Sequence, residues 1–445
     1  METNQTNTAF LSDSVPKAVL KNALPAIMAM LMTFVYNIAD TFFIGQTHND
    51  YMVAAVSICT PVFLIFTALG TLFGAGGVSV ISRAMGEGRP EYAKRVCAFC
   101  FWACVAVGIV LTGLFWLLMD PLLALLGAGP ETAALAETYL TIVIGCGTFS
   151  IVSNCFSNII RAEGRSTTAM AGTILGNLVN VVLDPILILA CGWDIAGAAI
   201  ATVIGNICGA LFYLIYFWRG RSILSIRRKD AAIRDGVMKS VLAIGIPASL
   251  GNLLMSVSQM VTNSRMADFG DLNVAAYGVA SKILMIVASI GVGLGMGVQP
   301  LLGFCFGAGE KKRFRSCLRF SALFGTALCI LICALCIAFA EPIVGFFLTD
   351  VSALEASVTF VRILFSTAWL LGIFFVCMNA IQAMGAARSS LIISLSRQGF
   401  IYIPALLILG AILGKNGLVW AQPAADVLSL VIVAFLLGKE LKRNH

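Results

Sequence analysis

Charge and histidine are scarce in this sequence. Asp, Glu, Lys and Arg make up only 11% of the 445 residues, and there are two histidines. Soluble globular proteins carry about 25% charged residues, so the composition excludes an ordinary soluble domain. The chain lacks a GxxxxGK[ST] phosphate-binding loop, which excludes ATP-driven transport by this chain alone. Because no set of hydrolytic residues is present either, we expect neither an enzyme nor a cofactor.

Clustered metal ligands are also missing. The 14 cysteines are scattered and lie mostly in apolar runs. Cys97 and Cys100 form a CxxC pair, but it lies inside an apolar run, without a histidine or a second pair at the spacing of a zinc site. We therefore expect no metal or redox centre among the cysteines.

The chain is rich in long apolar runs. It is 59% hydrophobic, with a mean hydropathy of +0.95. About 20 apolar residues suffice for a helix to cross a bilayer, whereas the strands of a membrane β-barrel alternate in polarity. The sequence therefore predicts an all-α polytopic membrane protein with twelve transmembrane helices. The predicted spans are 22–46, 52–82, 93–118, 137–160, 167–191, 194–218, 238–265, 273–306, 315–340, 355–383, 389–413 and 416–438.

Lys and Arg concentrate in alternate loops. The largest basic cluster lies between spans 6 and 7, and the intervening set of loops carries almost no Lys or Arg. Because basic loops stay in the cytoplasm, we expect a multi-pass protein of the cell inner (plasma) membrane with both termini cytoplasmic. The net charge of +7 then reflects topology. We expect no nucleic-acid partner, because the basic residues are divided among many short loops.

An internal repeat divides the chain into two halves of six spans. Four pairs of short segments match at an offset near 221 residues: Leu24-Pro25-Ala26 with Ile246-Pro247-Ala248, Val53-Ala54-Ala55 with Val274-Ala275-Ala276, Gly86-Glu87-Gly88 with Gly307-Ala308-Gly309, and Ala162-Glu163-Gly164 with Ala383-Met384-Gly385. Because six is even, both halves insert with the same orientation. They are then related by a pseudo-two-fold axis along the membrane normal, with a central cleft. We predict an N-terminal lobe (1–218) that holds the cation-binding acids, a basic cytoplasmic linker (219–239) and a C-terminal lobe (240–445).

Two acids in the N-terminal half lie within apolar spans and on polar helix faces. Asp40 and Asp184 each lie roughly 27 Å from the cytoplasmic start of their helices, and Thr202 lies roughly 12 Å from the outer side. Asp40, Asn180, Asp184 and Thr202 can therefore converge in one oxygen-rich pocket. Acids inside a membrane usually carry ions, protons or substrate. We expect this pocket to bind H⁺ or Na⁺, which the sequence does not distinguish, and no other metal. In the alternative interpretation these side chains only join helices through hydrogen bonds.

The C-terminal half lacks these acids. Gln259 and Thr262 occupy the positions equivalent to Asn37 and Asp40. Further along this half, Arg397 in span 11 and Asp426 in span 12 lie at comparable depth, so we expect them to form a buried ion pair. We favour a structural role for this pair over a gate.

The segments YNIADTFFIGQ and GNLVNVVLDPILI resemble the first-helix and fifth-helix motifs of the MATE (multidrug and toxic compound extrusion) transporters, in their DinF-like and MepA-like branch. The resemblance covers essentially the whole chain. It implies cation coupling at Asp40 and Asp184, with Asn180 and Thr202 as companions. It further implies a substrate cleft, for which the candidate lining residues are Tyr36, Asn37, Asn154, Asn177, Asn206, Met255, Gln259 and Asn263.

The resemblance implies an antiporter that exports cationic or amphipathic compounds in exchange for H⁺ or Na⁺. We expect it to work as a monomer in the lipid bilayer with small-molecule substrates. The alternative is a flippase for a lipid-linked saccharide or another amphipathic lipid precursor. A flippase of that kind needs several basic residues in its cleft to hold pyrophosphate, and only Lys282 and Arg397 are candidates. The sequence therefore favours the antiporter.

Overall fold

The computed structural model describes residues 10–47, 49–231, 236–348 and 350–443, and these residues form helices and no strand. The helices of the first half are α1 (Val15–Gly45), α2 (Asp50–Gly86), α3 (Pro90–Leu117), α4 (Met119–Leu126), α5 (Pro130–Gly145), α6 (Gly147–Ala162), α7 (Ser166–Asp184) and α8 (Asp194–Trp218). Those of the second half are α9 (Val237–Ala267), α10 (Asp271–Gly307), α11 (Lys311–Ala338), α12 (Ala340–Gly345), α13 (Val351–Ala368), α14 (Leu370–Ala383), α15 (Ala387–Leu395) and α16 (Tyr402–Arg443).

Two π-helical segments and several breaks interrupt these helices. One π-helical segment, Pro185–Ala190, follows α7, and the other, Ser396–Ile401, joins α15 to α16. α5 and α6 meet at an angle of 53°. α16 is kinked at Gly414, where φ is +62°.

The helices account for the predicted spans. Within the described residues, ten helices are long and apolar enough to cross a membrane, or eleven if α5 and α6 form one bent span. One of the ten, Ala387–Arg443, contains the kink at Gly414 and covers two predicted spans, 389–413 and 416–438. The predicted span 355–383 is divided between α13 and α14. The prediction of an all-α polytopic membrane protein is confirmed.

The two halves repeat the same backbone turns. Gly88 ends the turn after α2 with φ +70°, and its equivalent Gly309 ends the turn after α10 with φ +71°. Gly164 after α6 and Gly385 after α14 form a second such pair, with φ of +76° and +75°. A left-handed residue just past a helix end is usually glycine, because it has no Cβ to clash. The repeated segments of the sequence thus form the same helix ends in each half.

The chain forms two compact units that do not divide at a single chain position. Unit 1 comprises Leu31–Gly245, and unit 2 comprises the described residues 10–30 and 246–443. Unit 1 therefore includes the start of α9, which packs closely against α2. A Cβ added to Gly76 of α2 would lie 2.2 Å from the carbonyl oxygen of Val241 on α9. Unit 2 includes the start of α1, which packs closely against α10. A Cβ added to Gly297 of α10, the equivalent of Gly76, would lie 2.6 Å from the carbonyl oxygen of Asn22 on α1. The lobe and linker boundaries given above stay a prediction.

Helices α7 and α8 pack closely within unit 1, and each contributes two glycines spaced by four. These are Gly172 and Gly176 on α7, and Gly205 and Gly209 on α8. A Cβ on Gly205 would lie 2.6 Å from the carbonyl oxygen of Gly176, and one on Gly176 would lie 2.8 Å from the carbonyl oxygen of Gly205. Small residues spaced by four let membrane helices approach closely, and van der Waals packing and interhelical hydrogen bonds then hold them together. This contact determines how near the side chains of α7 come to those of α8.

We predict that Gly205→Ala destabilises the protein by about 1–3 kcal/mol, because the added methyl group forces the two helices apart. The measurement is thermal unfolding of the purified protein in detergent. Gly113→Ala is the matched control, because Gly113 is an exposed residue of α3 with nothing within 4 Å of an added Cβ. Equal unfolding temperatures for the two variants would contradict the close-packing argument.

Candidate functional site

The two acids lie together in unit 1, on α1 and at the end of α7. Asp184 is fully buried and Asp40 is partly buried, and the two carboxyl groups are near enough to interact electrostatically. Asp184 is the last residue of α7 because Pro185 follows it. Proline has no N–H for the α-helical ladder, and the backbone continues as the π-helical segment, closed by a 2.8 Å bond from the Cys191 N–H to the Ile186 carbonyl. The acid therefore stands where the helix geometry changes.

The other two residues of the predicted pocket join α7 to α8 next to these acids. The amide Nδ2 of Asn180 donates to the hydroxyl of Thr202 at 3.2 Å, and both side chains are buried. The phenol of Tyr36, on α1, interacts with the same hydroxyl and is within electrostatic range of both carboxyl groups. The structure thus gathers side chains from α1, α7 and α8 into one polar pocket.

Four oxygen atoms of this pocket have no hydrogen-bond donor. The atoms are Oδ1 of Asp40, Oδ1 of Asn180 and both carboxylate oxygens of Asp184, and all four are buried and accept no bond from any described residue. An unpaired buried oxygen is costly, and an ionised one more so. A proton on a carboxylate or a bound cation would remove that cost. Carboxylate, amide and hydroxyl oxygens are also the ligands that hard cations prefer. The pocket therefore has the chemistry to bind and release H⁺ or Na⁺.

Tyr139 belongs to the same pocket, and the sequence analysis missed it. It lies on α5, only 7% exposed, and interacts electrostatically with Tyr36 and both acids. It belongs to no repeated polar face, so helical periodicity did not reveal it. The depth of the residue along its helix could have revealed it. Tyr139 lies roughly 14 Å from the outer start of α5, close to the depth predicted for Thr202.

Three predicted cleft residues of unit 1 have partners of their own. Asn177 donates to the hydroxyl of Thr33 at 3.0 Å and so links α7 to α1. Asn206 donates to the carbonyl of Thr202 at 3.0 Å, one turn earlier on α8. Asn154 packs against α2, because a Cβ added to Gly70 of α2 would lie 2.7 Å from the Cβ of Asn154. These bonds and contacts support the helices around the pocket, and the predicted substrate role of the three residues stays a prediction.

The remaining predicted cleft residues lie on more open helix faces. Asn37 is exposed on α1, and Tyr36 is half-buried beside it. In unit 2, Met255, Gln259 and Asn263 follow one another at intervals of four along α9, and all three are exposed. Their predicted contact with a substrate stays a prediction.

The position in unit 2 that corresponds to Asp40 is filled by a closed network of hydroxyl groups. The hydroxyl of Thr262 contacts that of Tyr402 at 2.8 Å and donates to the carbonyl of Ser258 at 2.8 Å. Ser258 in turn donates to the carbonyl of Gln398. Because each of these hydroxyls is hydrogen-bonded, this position has no need of a cation.

Arg397 and Asp426 form the expected ion pair inside unit 2. The guanidinium donates to one carboxylate oxygen from Nε at 3.2 Å and from Nη2 at 3.0 Å, and Gln422 donates to the same oxygen at 2.9 Å. The guanidinium also lies over the rings of Phe374 and Phe375, 4.7 and 5.3 Å from their centroids. The acid is 3% and the arginine 12% exposed. The ion pair is therefore buried, and one oxygen of its carboxylate accepts three hydrogen bonds.

Comparison with known proteins points to one family. The family model MatE matches the chain twice, over residues 25–186 and 247–408, which correspond to the two halves of the repeat. The multidrug export protein MepA of Staphylococcus aureus (strain N315) is 30% identical over 436 residues, which are 97% of this chain and 96% of that protein. MepA of Staphylococcus haemolyticus (strain JCSC1435) is 30% identical over 431 residues, or 96% and 94% of the two chains.

A solved structure has the same fold. The crystal structure of a MATE protein in complex with MaL6 superposes with a TM-score of 0.94 at 23% identity, covering 98% of this chain and 99% of that one. At that identity the likeness speaks for the fold, and the family model and the relatives carry the assignment. The chain is a multi-pass membrane protein that belongs to the MatE family, that of the MATE transporters.

Proposed function

We propose that this chain exports cationic or amphipathic compounds from the cytoplasm in exchange for H⁺ or Na⁺. The relatives at 30% identity over nearly the whole chain are multidrug export proteins, which supports this substrate class. In a transporter built from two parallel repeats, alternating access allows the substrate and the coupling ion to use the two sides of the membrane in turn.

The group of unpartnered oxygens around Asp40 and Asp184 carries the proposal. Keeping two carboxylates ionised is costly when three of their four oxygens are buried without donors, and binding a cation would remove that cost. A cation that prefers one conformation of the transporter over the other shifts the equilibrium by its difference in binding free energy. An ion gradient can then drive a substrate outward. Asn180 and Thr202 supply the neutral part of the ligand set.

We predict that Asp40→Asn and Asp184→Asn each abolish gradient-driven export while the protein still folds. Each change removes one of the two negative charges but keeps the shape of the side chain, so the pocket should bind a cation much more weakly. Coupling free energies are typically about 1–3 kcal/mol, or about 5- to 150-fold, and we expect accumulation of a fluorescent dye in everted vesicles to fall by about tenfold or more.

Glu137→Gln is the control for these two variants. It removes one negative charge from α5, the helix that carries Tyr139, at a position that is exposed. Export should be unchanged in this variant. Full export by both Asp40→Asn and Asp184→Asn, at normal amounts of folded protein, would refute the assignment of the acids.

The identity of the coupling ion follows from two gradients imposed separately. In everted vesicles we expect either a proton gradient or a sodium gradient to drive dye accumulation, and the same gradient to be ineffective in the Asp184→Asn variant. The measurement is the fluorescence change on adding each gradient, with an ionophore that collapses it as the control. If neither gradient drives export, the flippase becomes the better explanation.

For Arg397 and Asp426 we propose a structural role in unit 2. Removing one partner, by Arg397→Met or Asp426→Leu, leaves a buried charge without its counter-ion and should destabilise the protein by about 3–5 kcal/mol. The double variant should recover most of that loss, because two apolar side chains can replace a buried pair. Thermal unfolding and dye export of all three variants provide the test. A double variant that is as stable as the wild type but inactive would instead indicate a gate.

A further inference from the structure

The chain after α8, residues 219–231, is fixed against unit 1 by buried contacts. Leu224 is buried, and its N–H donates to a carboxylate oxygen of Glu163 at 3.2 Å. Glu163, in the turn after α6, is buried as well and also accepts bonds from the hydroxyls of Ser222 and Tyr216. The first part of this segment is therefore anchored at the end of unit 1 where α6 ends and α7 begins.

A second set of contacts joins the segment to α3. The indole Nε1 of Trp102 donates to the carbonyl of Ile226 at 3.2 Å, and the guanidinium of Arg228 lies 5.9 Å from the centroid of the same indole. Trp102 lies roughly 18 Å along α3 from the start of the helix, beyond its last charged residue, Arg95. The segment therefore runs beside α3 at the edge of the apolar part of that helix.

The residues that lead into the segment form an exposed apolar stripe on α8. Trp218, the last residue of the helix, is 87% exposed, and Ile215 and Leu211, on the same face, are exposed as well. In a membrane protein such a stripe faces lipid, and Trp is enriched where lipid meets water. The segment after Trp218 therefore begins at the level of the lipid head groups.

The segment is strongly and openly basic. Its five basic side chains are all exposed: Arg219, Arg221, Arg227, Arg228 and Lys229. None of them forms an ion pair with a residue in the described part of the chain. The one acid of the segment is Asp230, whose carboxylate accepts a bond from the hydroxyl of Ser225 at 2.5 Å. Five positive charges and one negative charge give +4, and counting the buried Glu163 as well still leaves +3.

Another basic turn at the same end of unit 1 differs in this respect. Before and within the start of α3, Arg89 pairs with Glu87, and Lys94 pairs with Glu91 at 2.7 Å. Exposed ion pairs of this kind leave little net charge at the surface. Uncompensated positive charge is therefore concentrated in the segment after α8.

We propose that residues 218–231 bind the head groups of anionic phospholipids in the leaflet beside them, which the predicted topology makes the cytoplasmic one. The exposed cations meet the phosphate groups, and Trp218 sits at the interface. Clusters of four to eight basic residues next to a membrane helix attract anionic lipids. Because Glu163 and Trp102 already hold the segment in place, its cations act together and little conformational entropy is lost on binding.

The test is native mass spectrometry of the purified full chain in detergent, titrated with phosphatidylglycerol and with phosphatidylcholine. Each basic residue near a membrane contributes about fivefold, so we expect the protein to prefer phosphatidylglycerol by about tenfold or more. Raising the ammonium acetate concentration should weaken this preference, because salt screens exposed charges. Arg219→Gln with Arg221→Gln and Arg227→Gln should reduce the preference by about tenfold or more.

Two matched variants separate this surface from the net charge and from a disturbed fold. Lysine at the same three arginine positions keeps the charge and should keep the preference. Lys312→Gln with Arg319→Gln and Lys439→Gln removes the same charge from exposed positions of unit 2 and should change the preference by less than about threefold. Equal losses in the two glutamine variants, a loss of similar size with lysine, equal binding of the two lipids by the unaltered chain, or a preference that salt leaves unchanged would each overturn the proposal.

Discussion

The close approach of α7 to α8 is the contact on which the polar pocket depends. Gly176 and Gly205 bring the two backbones together so far that a single methyl group would meet a carbonyl oxygen. Only at that separation can Asn180, one turn before Asp184 on α7, reach Thr202 on α8. The packing of the two backbones thereby fixes the spacing of the side chains that we propose to bind a cation.

The two halves share a backbone and differ in what they bury. The turns that end their helices have nearly the same φ angles, yet Asp40 corresponds to Thr262 and Glu163 to Met384. Unit 1 has a partly buried acid at the first position and a buried acid at the second, whereas unit 2 has a hydrogen-bonded hydroxyl and an apolar side chain there. Helical geometry tolerates such exchanges because each helix bonds its own backbone. A duplicated fold can therefore keep its architecture while the two copies take different chemical roles.

The sequence predicted most of the fold because a membrane permits little besides apolar helices. It also predicted that Asp40, Asn180, Asp184 and Thr202 would lie at one depth, since rise per residue converts position into height. It did not predict Tyr139, which has no polar neighbours at helical spacing. Periodicity in the sequence identifies the polar face of a single helix. A site formed by several helices can be recognised only once the packing of those helices is known.

Helix α1 contributes residues to both compact units. The helix is continuous from residues that pack in unit 2, before Leu31, to Asp40 in unit 1. Pro25 lies inside its first part and leaves the helix one backbone bond short, which makes that region easier to bend. In the proposed function, an ion at Asp40 acts through differential affinity, so it needs an element whose conformation differs between states. We propose that α1, which carries the acid and contributes residues to both compact units, is that element, so that coupling needs no second acid site in unit 2.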